Sequence, residues 1–147
     1  MTFGNLMLAR YASNTVYAIP GSAITIMNYE DVIHDPYNLV TIGAAWKFTA
    51  DHDGYYFCKA SLLWANITWA AGKATQIFLY KNNAQVTSLD YFLTVTLAGA
   101  RYIHSHGCDV VWLDKGDFVD FRLWQTNLGA VNTYNNHVYN NCSIYRI

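Results

Sequence analysis

The run GYYFCKASLLW, residues 54 to 64, alternates with a period of two over its whole length. In a strand, Tyr56, Cys58, Ala60, Leu62 and Trp64 fall on one face and Tyr55, Phe57, Lys59, Ser61 and Leu63 on the other. Both sets are largely apolar. A strand with one wet face alternates apolar with polar residues, so this one predicts a core on one side and a second cover on the other. A second subunit is the simplest cover; a cap made by the chain itself is the alternative.

The rest of the chain reads the same way. In DFVDFRLWQ, residues 117 to 125, Val119, Phe121 and Leu123 alternate with Asp120 and Arg122. Further strands are expected at 15–19, 23–27, 39–42, 44–50, 75–81, 89–97, 100–105, 108–113 and 138–146. Turn signals separate them: Pro20-Gly21, Asp35-Pro36, Asp51 to Gly54, Asn82-Asn83, Gly99 and Lys115-Gly116. No segment carries a sustained helical stripe. Many short strands without helices mean a sandwich or a barrel. The Asn-rich stretch from Asn127 to Asn141 reads as a long loop before the last strand. With no linker, repeat or low-complexity segment, residues 1–147 are expected to form a single domain.

Composition narrows the partners. Only 13% of the residues are charged, about half the usual share of about 25%. Much of the surface is therefore expected to meet protein instead of water. Aromatic residues make up 16% of the chain and the net charge is -1, which excludes a disordered chain. The 9 basic residues do not exceed the 10 acidic ones, which argues against nucleic-acid binding. The stretch from Tyr11 to Tyr29 is too broken by Asn14, Pro20, Gly21 and Asn28 to cross a bilayer, so no membrane insertion is expected. The N-terminus has no basic region followed by an apolar run, and so no visible secretion signal. Cys58, Cys108 and Cys142 lack zinc spacing and read as buried free thiols.

Specific motifs resemble the complement C1q and tumour necrosis factor-like superfamily, most closely its C1q-like domains in bacterial and phage proteins. WKFTADHDGYYFCKASLLW, residues 46 to 64, is similar to the family's Phe-Thr-Ala, spacer, Gly-x-Tyr-x-Phe signature, with Phe48, Gly54 and Tyr56 in register. LYKNNAQV at 79 to 86 resembles a strand ending in Lys-Asn-Gly. VVWLDKGDFVDFRLWQ at 110 to 125 resembles the Leu-x-x-Gly-Asp-x-Val hairpin. ARYASN (9 to 14) and IPGSAITIMNYEDVIHD (19 to 35) resemble the opening of the prokaryotic and phage branch. The last strand departs from the pattern, with Asn141 where Gly commonly stands. No collagen-like stalk repeat is present. The resemblance implies an all-β, ten-stranded jelly-roll sandwich that assembles as a compact homotrimer. It also implies a binding or adhesion head and not an enzyme. Tyr55, Phe57, Lys59, Leu63 and His106 would then face the other subunits.

Little else in the sequence carries chemistry. Cys108 lies near His106 and Asp109, but neighbours in a strand point to opposite faces, and no nucleophile elbow, P-loop or HExxH motif occurs. No enzyme and no obligatory cofactor is expected. His104 and His106 form an HxH pair on one strand face, about 7 Å apart. Three copies around an axis would offer six imidazoles to a transition-metal ion. The resemblance makes calcium the other candidate ion, since some C1q-type heads bind it; the acidic candidates are Asp114, Asp117 and Asp120, and Asp51 with Asp53, and no EF-hand spacing groups them. Trp64, Trp69 and Trp124, with the Asn-rich segment, are candidates for a sugar-binding surface. In it Trp69, Asn135, Asn136 and His137 would face the ligand. The expected role is a non-enzymatic virion surface protein of a phage, made in the host cytoplasm: a capsid decoration, a head fibre or a tail receptor-binding tip. Its partners would be its own copies, other virion proteins and a host-surface glycan or protein. The alternative is an extracellular lectin-like or adhesion domain of a cellular organism.

Overall fold

Two antiparallel sheets close over an aromatic core in the computed structural model, which describes residues 6–95 and 99–147. Among the described residues there are thirteen strands and no helix: β1 (Leu6–Ala12), β2 (Ala18–Ile19), β3 (Thr25–Ile26), β4 (Asp31–His34), β5 (Val40–Thr41), β6 (Lys47–Thr49), β7 (Gly54–Ile67), β8 (Ala74–Lys81), β9 (Ala84–Leu93), β10 (Arg101–Leu113), β11 (Phe118–Gln125), β12 (Val131–Asn132) and β13 (Asn141–Arg146). One sheet has the order β10-β7-β13-β1-β4, and the other follows β5-β6-β11-β8-β9 with β3 alongside β11. Those two five-strand paths make the ten strands of a jelly roll. A short β12-β2 ladder lies beside them.

The inner face of β7 is the centre of the core. Tyr56, Cys58, Ala60, Leu62 and Trp64 are all fully buried, as the alternation predicts. Val119, Phe121 and Leu123 of β11 meet them from the other sheet. Trp46 packs against Tyr29 and Phe121, with ring centroids 5.7 and 5.8 Å away. Its indole Nε1 donates to the Tyr29 carbonyl at 3.1 Å, so the ring is buried without an orphaned donor.

Several expected strands move, each for a local reason. The segment 6–12 was not expected to pair, yet β1 sits between β13 and β4. A bulge between Met7 and Ala9 breaks its alternation, so buried residues fall in adjacent pairs instead of every second position. The strand expected at 89–97 instead starts at Ala84. Asn82 and Asn83 both take positive φ, 50° and 67°, and make a two-residue hairpin that feeds β9 directly. Residues 96 and 97 of that expectation lie outside the described residues. The strands expected at 100–105 and 108–113 are one, running through Gly107. A Cβ there would overlap the Leu89 backbone, so only glycine lets the sheet edges β9 and β10 approach so closely. The strands expected at 15–19 and 23–27 shrink to β2 and β3 around the Pro20-Gly21 turn. The Asn-rich segment is no loose loop: β12 pairs with β2, and Thr133 bridges to Trp64.

Candidate functional site

β10, β7 and β13 lie side by side, so their outward side chains form rows across the outer face of the five-stranded sheet. Register sets Trp112 opposite Tyr55, Val110 opposite Phe57, and Tyr145 opposite Phe57 from the other side. The rings touch edge to face: Tyr55 and Trp112 are 5.0 Å apart, Phe57 and Tyr145 6.1 Å. Tyr55, Val110 and Trp112 are 44–55% exposed, a contiguous apolar patch on a chain otherwise poor in charge. Next to it a groove of about 680 Å³ opens between Phe57, Tyr145 and Ile147, flanked by Arg10 and Lys59.

The second face of β7 thus divides. Tyr55, Phe57 and Lys59 stay open. Leu63 is only 9% exposed, because the 134–140 segment of the same chain covers it. Its N–H donates to Asn140 Oδ1 at 2.8 Å and its carbonyl accepts the Tyr134 N–H at 2.8 Å. At that end the chain caps itself, and Leu63 has little surface left for a partner.

A second apolar surface lies around the corner, on the edge strand β9. Tyr91, Phe92 and Leu93 are exposed there, as is Val95 just beyond. None of these was singled out from sequence. The signal was present in YFLTV, which has no polar face. Nor was Trp112 singled out, although it shares the outward face of His104 and His106 by simple alternation.

His104 and His106 stand together on that outer face, their ring centroids 4.9 Å apart. His104 Nε2 lies 2.8 Å from the Ser61 hydroxyl, which itself donates to the Tyr139 carbonyl at 2.6 Å. Partial burial, then the neighbouring His106, hold the His104 imidazole below its ordinary pKa and favour the neutral ring. Among the described residues, no set of three or more His, Cys, Asp or Glu is grouped to hold a metal within one chain.

The remaining candidates separate. Trp69 does not face a ligand: it is 3% exposed, packs edge to face on Trp64 at 6.0 Å, and donates Nε1 to the Arg101 carbonyl. It lies in the β7–β8 connection, which folds back so that the ring rests on the buried Trp64 at the edge of the core. Asn135 and His137 are exposed, but the His137 N–H and ring are tied to Asn14 Oδ1. Asn136 accepts the amides of Val138, Tyr139 and Asn140 and so shapes its own turn. Most of the acidic oxygens are occupied as well, although Asp51 Oδ1 is buried without a hydrogen-bond partner. Asp120 pairs with Arg122 at 2.6 Å, Asp117 with Lys81 at 2.7 Å, and Asp53 accepts the Lys115 amide. Asp114 accepts the Trp112 indole and Asp51 pairs with His52. Of the cysteines, Cys58 and Cys142 are buried as expected. Cys108 is exposed, because it follows His106 on the outward face of β10. Burial pushes the Cys58 and Cys142 thiols up, so neither is a ready nucleophile.

No protein-family model matches the sequence, and no curated protein matches it either. Solved structures do match in shape. Eiger TNF from S. frugiperda superposes with a TM-score of 0.70 at 10% identity, over 97% of this chain and 93% of that one. Murine APRIL at pH 5.0 superposes with a TM-score of 0.65 at 9% identity, over 98% of this chain and all 100% of that one. The fold is therefore the jelly roll of the tumour necrosis factor and C1q-like proteins, as the sequence motifs imply.

Proposed function

We propose that the chain works as a homotrimer whose task is attachment and not catalysis. The carrying observation is that two of its exposed surfaces differ in place and shape: the outer sheet face, where the Tyr55–Trp112 patch adjoins a half-polar groove at Phe57 and Tyr145, and an apolar ridge on edge strand β9, at Tyr91 to Leu93. A face that accepts and an edge that inserts make a heterologous contact, which closes into a ring when the rotation allows. The low charge content supports burial of both. Tyr55, Phe57, Lys59 and His106 would lie in that interface, while Leu63 contributes through the chain's own cap. Light scattering tests the state directly. A mass near three times the 16.7 kDa chain is expected, and a stable monomer overturns the reading.

The attachment is assigned to a phage virion surface, as a capsid decoration, a head fibre or a tail receptor-binding tip. Its partners there would be other virion proteins and a host-surface glycan or protein. The resemblance of residues 9 to 14 and 19 to 35 to the phage branch supports this. So does a further exposed apolar site on the edge strand β4, at Val32 and Ile33, one strand beyond the groove's Arg10 and at the far edge of the sheet from β10. Purified particles should carry the protein. Hundreds of copies per particle mean decoration, a few dozen or fewer mean a tail, and absence from particles overturns the assignment. A second reading, an extracellular adhesion domain of a cellular organism, is favoured by the animal sources of the superposable structures, S. frugiperda and the mouse.

A further inference from the structure

We propose that His104 and His106 form a chelating pair for a divalent first-row transition-metal ion, completed around the three-fold axis by the same pair from two further copies. This rests on the trimer reading above. Strand geometry supplies the pair: outward residues two apart are about 7 Å apart at Cα, and the rings lean together to 4.9 Å with only 36° between their planes. Two imidazoles held this close gain from sharing a cation through their lone pairs and lose from both being protonated.

The surroundings fix which nitrogen is free. The Ser61 hydroxyl has one proton, and it is given to the Tyr139 carbonyl at 2.6 Å. Toward His104 the hydroxyl can then only accept, so His104 Nε2 carries the ring proton and Nδ1 keeps its lone pair. A second partner that locks the tautomer and orientation of a histidine is how metal ligands are set. Tyr139 holds the other side of the same ring, edge to face at 5.7 Å. Among the described residues, the His106 ring makes no side-chain hydrogen bond, and both histidines are exposed on the isolated chain.

One chain supplies two nitrogens, whereas first-row ions take four to six ligands. Cys108 does not complete the set. It stands four residues along β10 from His104, about 13 Å away at Cα, too far to share one ion with both rings. The missing ligands must come from outside the chain. The face that carries the pair is continuous with the groove and aromatic patch assigned to the trimer contact, so further copies of the same pair are the nearest source. Three chains bring six imidazoles, a set that suits an octahedral ion such as Ni²⁺.

Tag-free protein is stripped with a chelator, loaded with Ni²⁺ alone and passed over a sizing column with light scattering, and the nickel in the peak is measured. One nickel per three chains is expected, at trimer mass. His106→Gln, which alters an exposed ring, and the double change His104→Gln/His106→Gln should each lose the nickel, while the stripped, unsubstituted protein shows whether the trimer mass stands without the ion. Ser61→Ala should weaken binding by about 10- to 100-fold. A nickel-free trimer, nickel retained by the double variant, or one ion per chain each overturns the site while leaving the trimer standing. A monomer mass overturns the trimer and this proposal with it.

Discussion

A Cβ placed on Gly107 would overlap the backbone of Leu89 on the neighbouring strand, where no flexible side chain can yield. The two strands are the edges of different sheets, and their approach at this point closes one side of the sandwich. Gly107→Ala would therefore force β9 and β10 apart, which overpacking data put at about 1–3 kcal/mol. A urea midpoint unchanged from the parent protein would show that the edge yields without cost. The glycine also explains why one strand reads as two in sequence: a residue without a side chain, between His106 and Cys108, breaks the apolar pattern where the backbone does not break. Trp69 shows the opposite failure. Its residue type suits a sugar platform, but type does not specify the side on which Trp64 lies, and Trp64 buries it.

The hairpins are joined by polar ties that matter as a group. Asp117, in the turn between β10 and β11, accepts Lys81 Nζ at 2.7 Å, Asn82 Nδ2 at 2.7 Å and the Asp114 amide at 2.9 Å. It thereby pins that turn to the β8–β9 turn. Lys81 first, then Asn82 and the Asp114 amide, pull the Asp117 carboxyl down to about 2 from an ordinary value of 3.8. A carboxylate that is more acidic in the folded state stabilises it fully above its unfolded pKa and stops doing so as pH falls through the folded one. Stability should thus decline between about pH 4 and pH 2. Asp117→Asn should flatten that decline while costing about 1 kcal/mol or less at neutral pH, because the pair is near solvent. Urea midpoints taken at steps from pH 5 to pH 2 test this, and an equally steep decline in the variant rules Asp117 out as its source. Elements of this kind were legible from sequence where alternation is clean, as in β7 and β11, and where turn residues dictate geometry, as at Lys115-Gly116. β1 was not, because a bulge moves its buried residues out of period two. The start of β9 was missed because the Asn82-Asn83 hairpin needs no residues beyond its two turn positions. The histidine pair was legible, since alternation alone puts both rings on one face. Its tautomer lock was not, because Ser61 and Tyr139 come from strand pairing and a turn distant in sequence.

For the assembled molecule, the arrangement of the two apolar surfaces makes a stronger claim than a mass. If the outer face of one chain receives the β9 edge of the next, each contact uses two different patches. A Phe57→Glu chain would then keep its edge but lose its face, and a Tyr91→Glu/Phe92→Glu chain would keep its face but lose its edge. A charge placed in a desolvated apolar contact costs several kcal/mol, enough to abolish a ring of three such contacts. Each variant alone should run as a monomer of about the 16.7 kDa chain mass. Mixed in equal amounts, they still have one intact contact: the edge of the first in the face of the second. That pair cannot extend, since its remaining face and edge are both the charged ones. The expected species is a one-to-one dimer and nothing larger. A symmetric contact, in which the same patch meets itself, predicts a different result, because each variant would then keep one good patch and pair with itself or not at all. Light scattering on the two variants and on their mixture separates the cases. Monomers that stay monomers on mixing would rule out the face-to-edge ring even if the parent protein is a trimer.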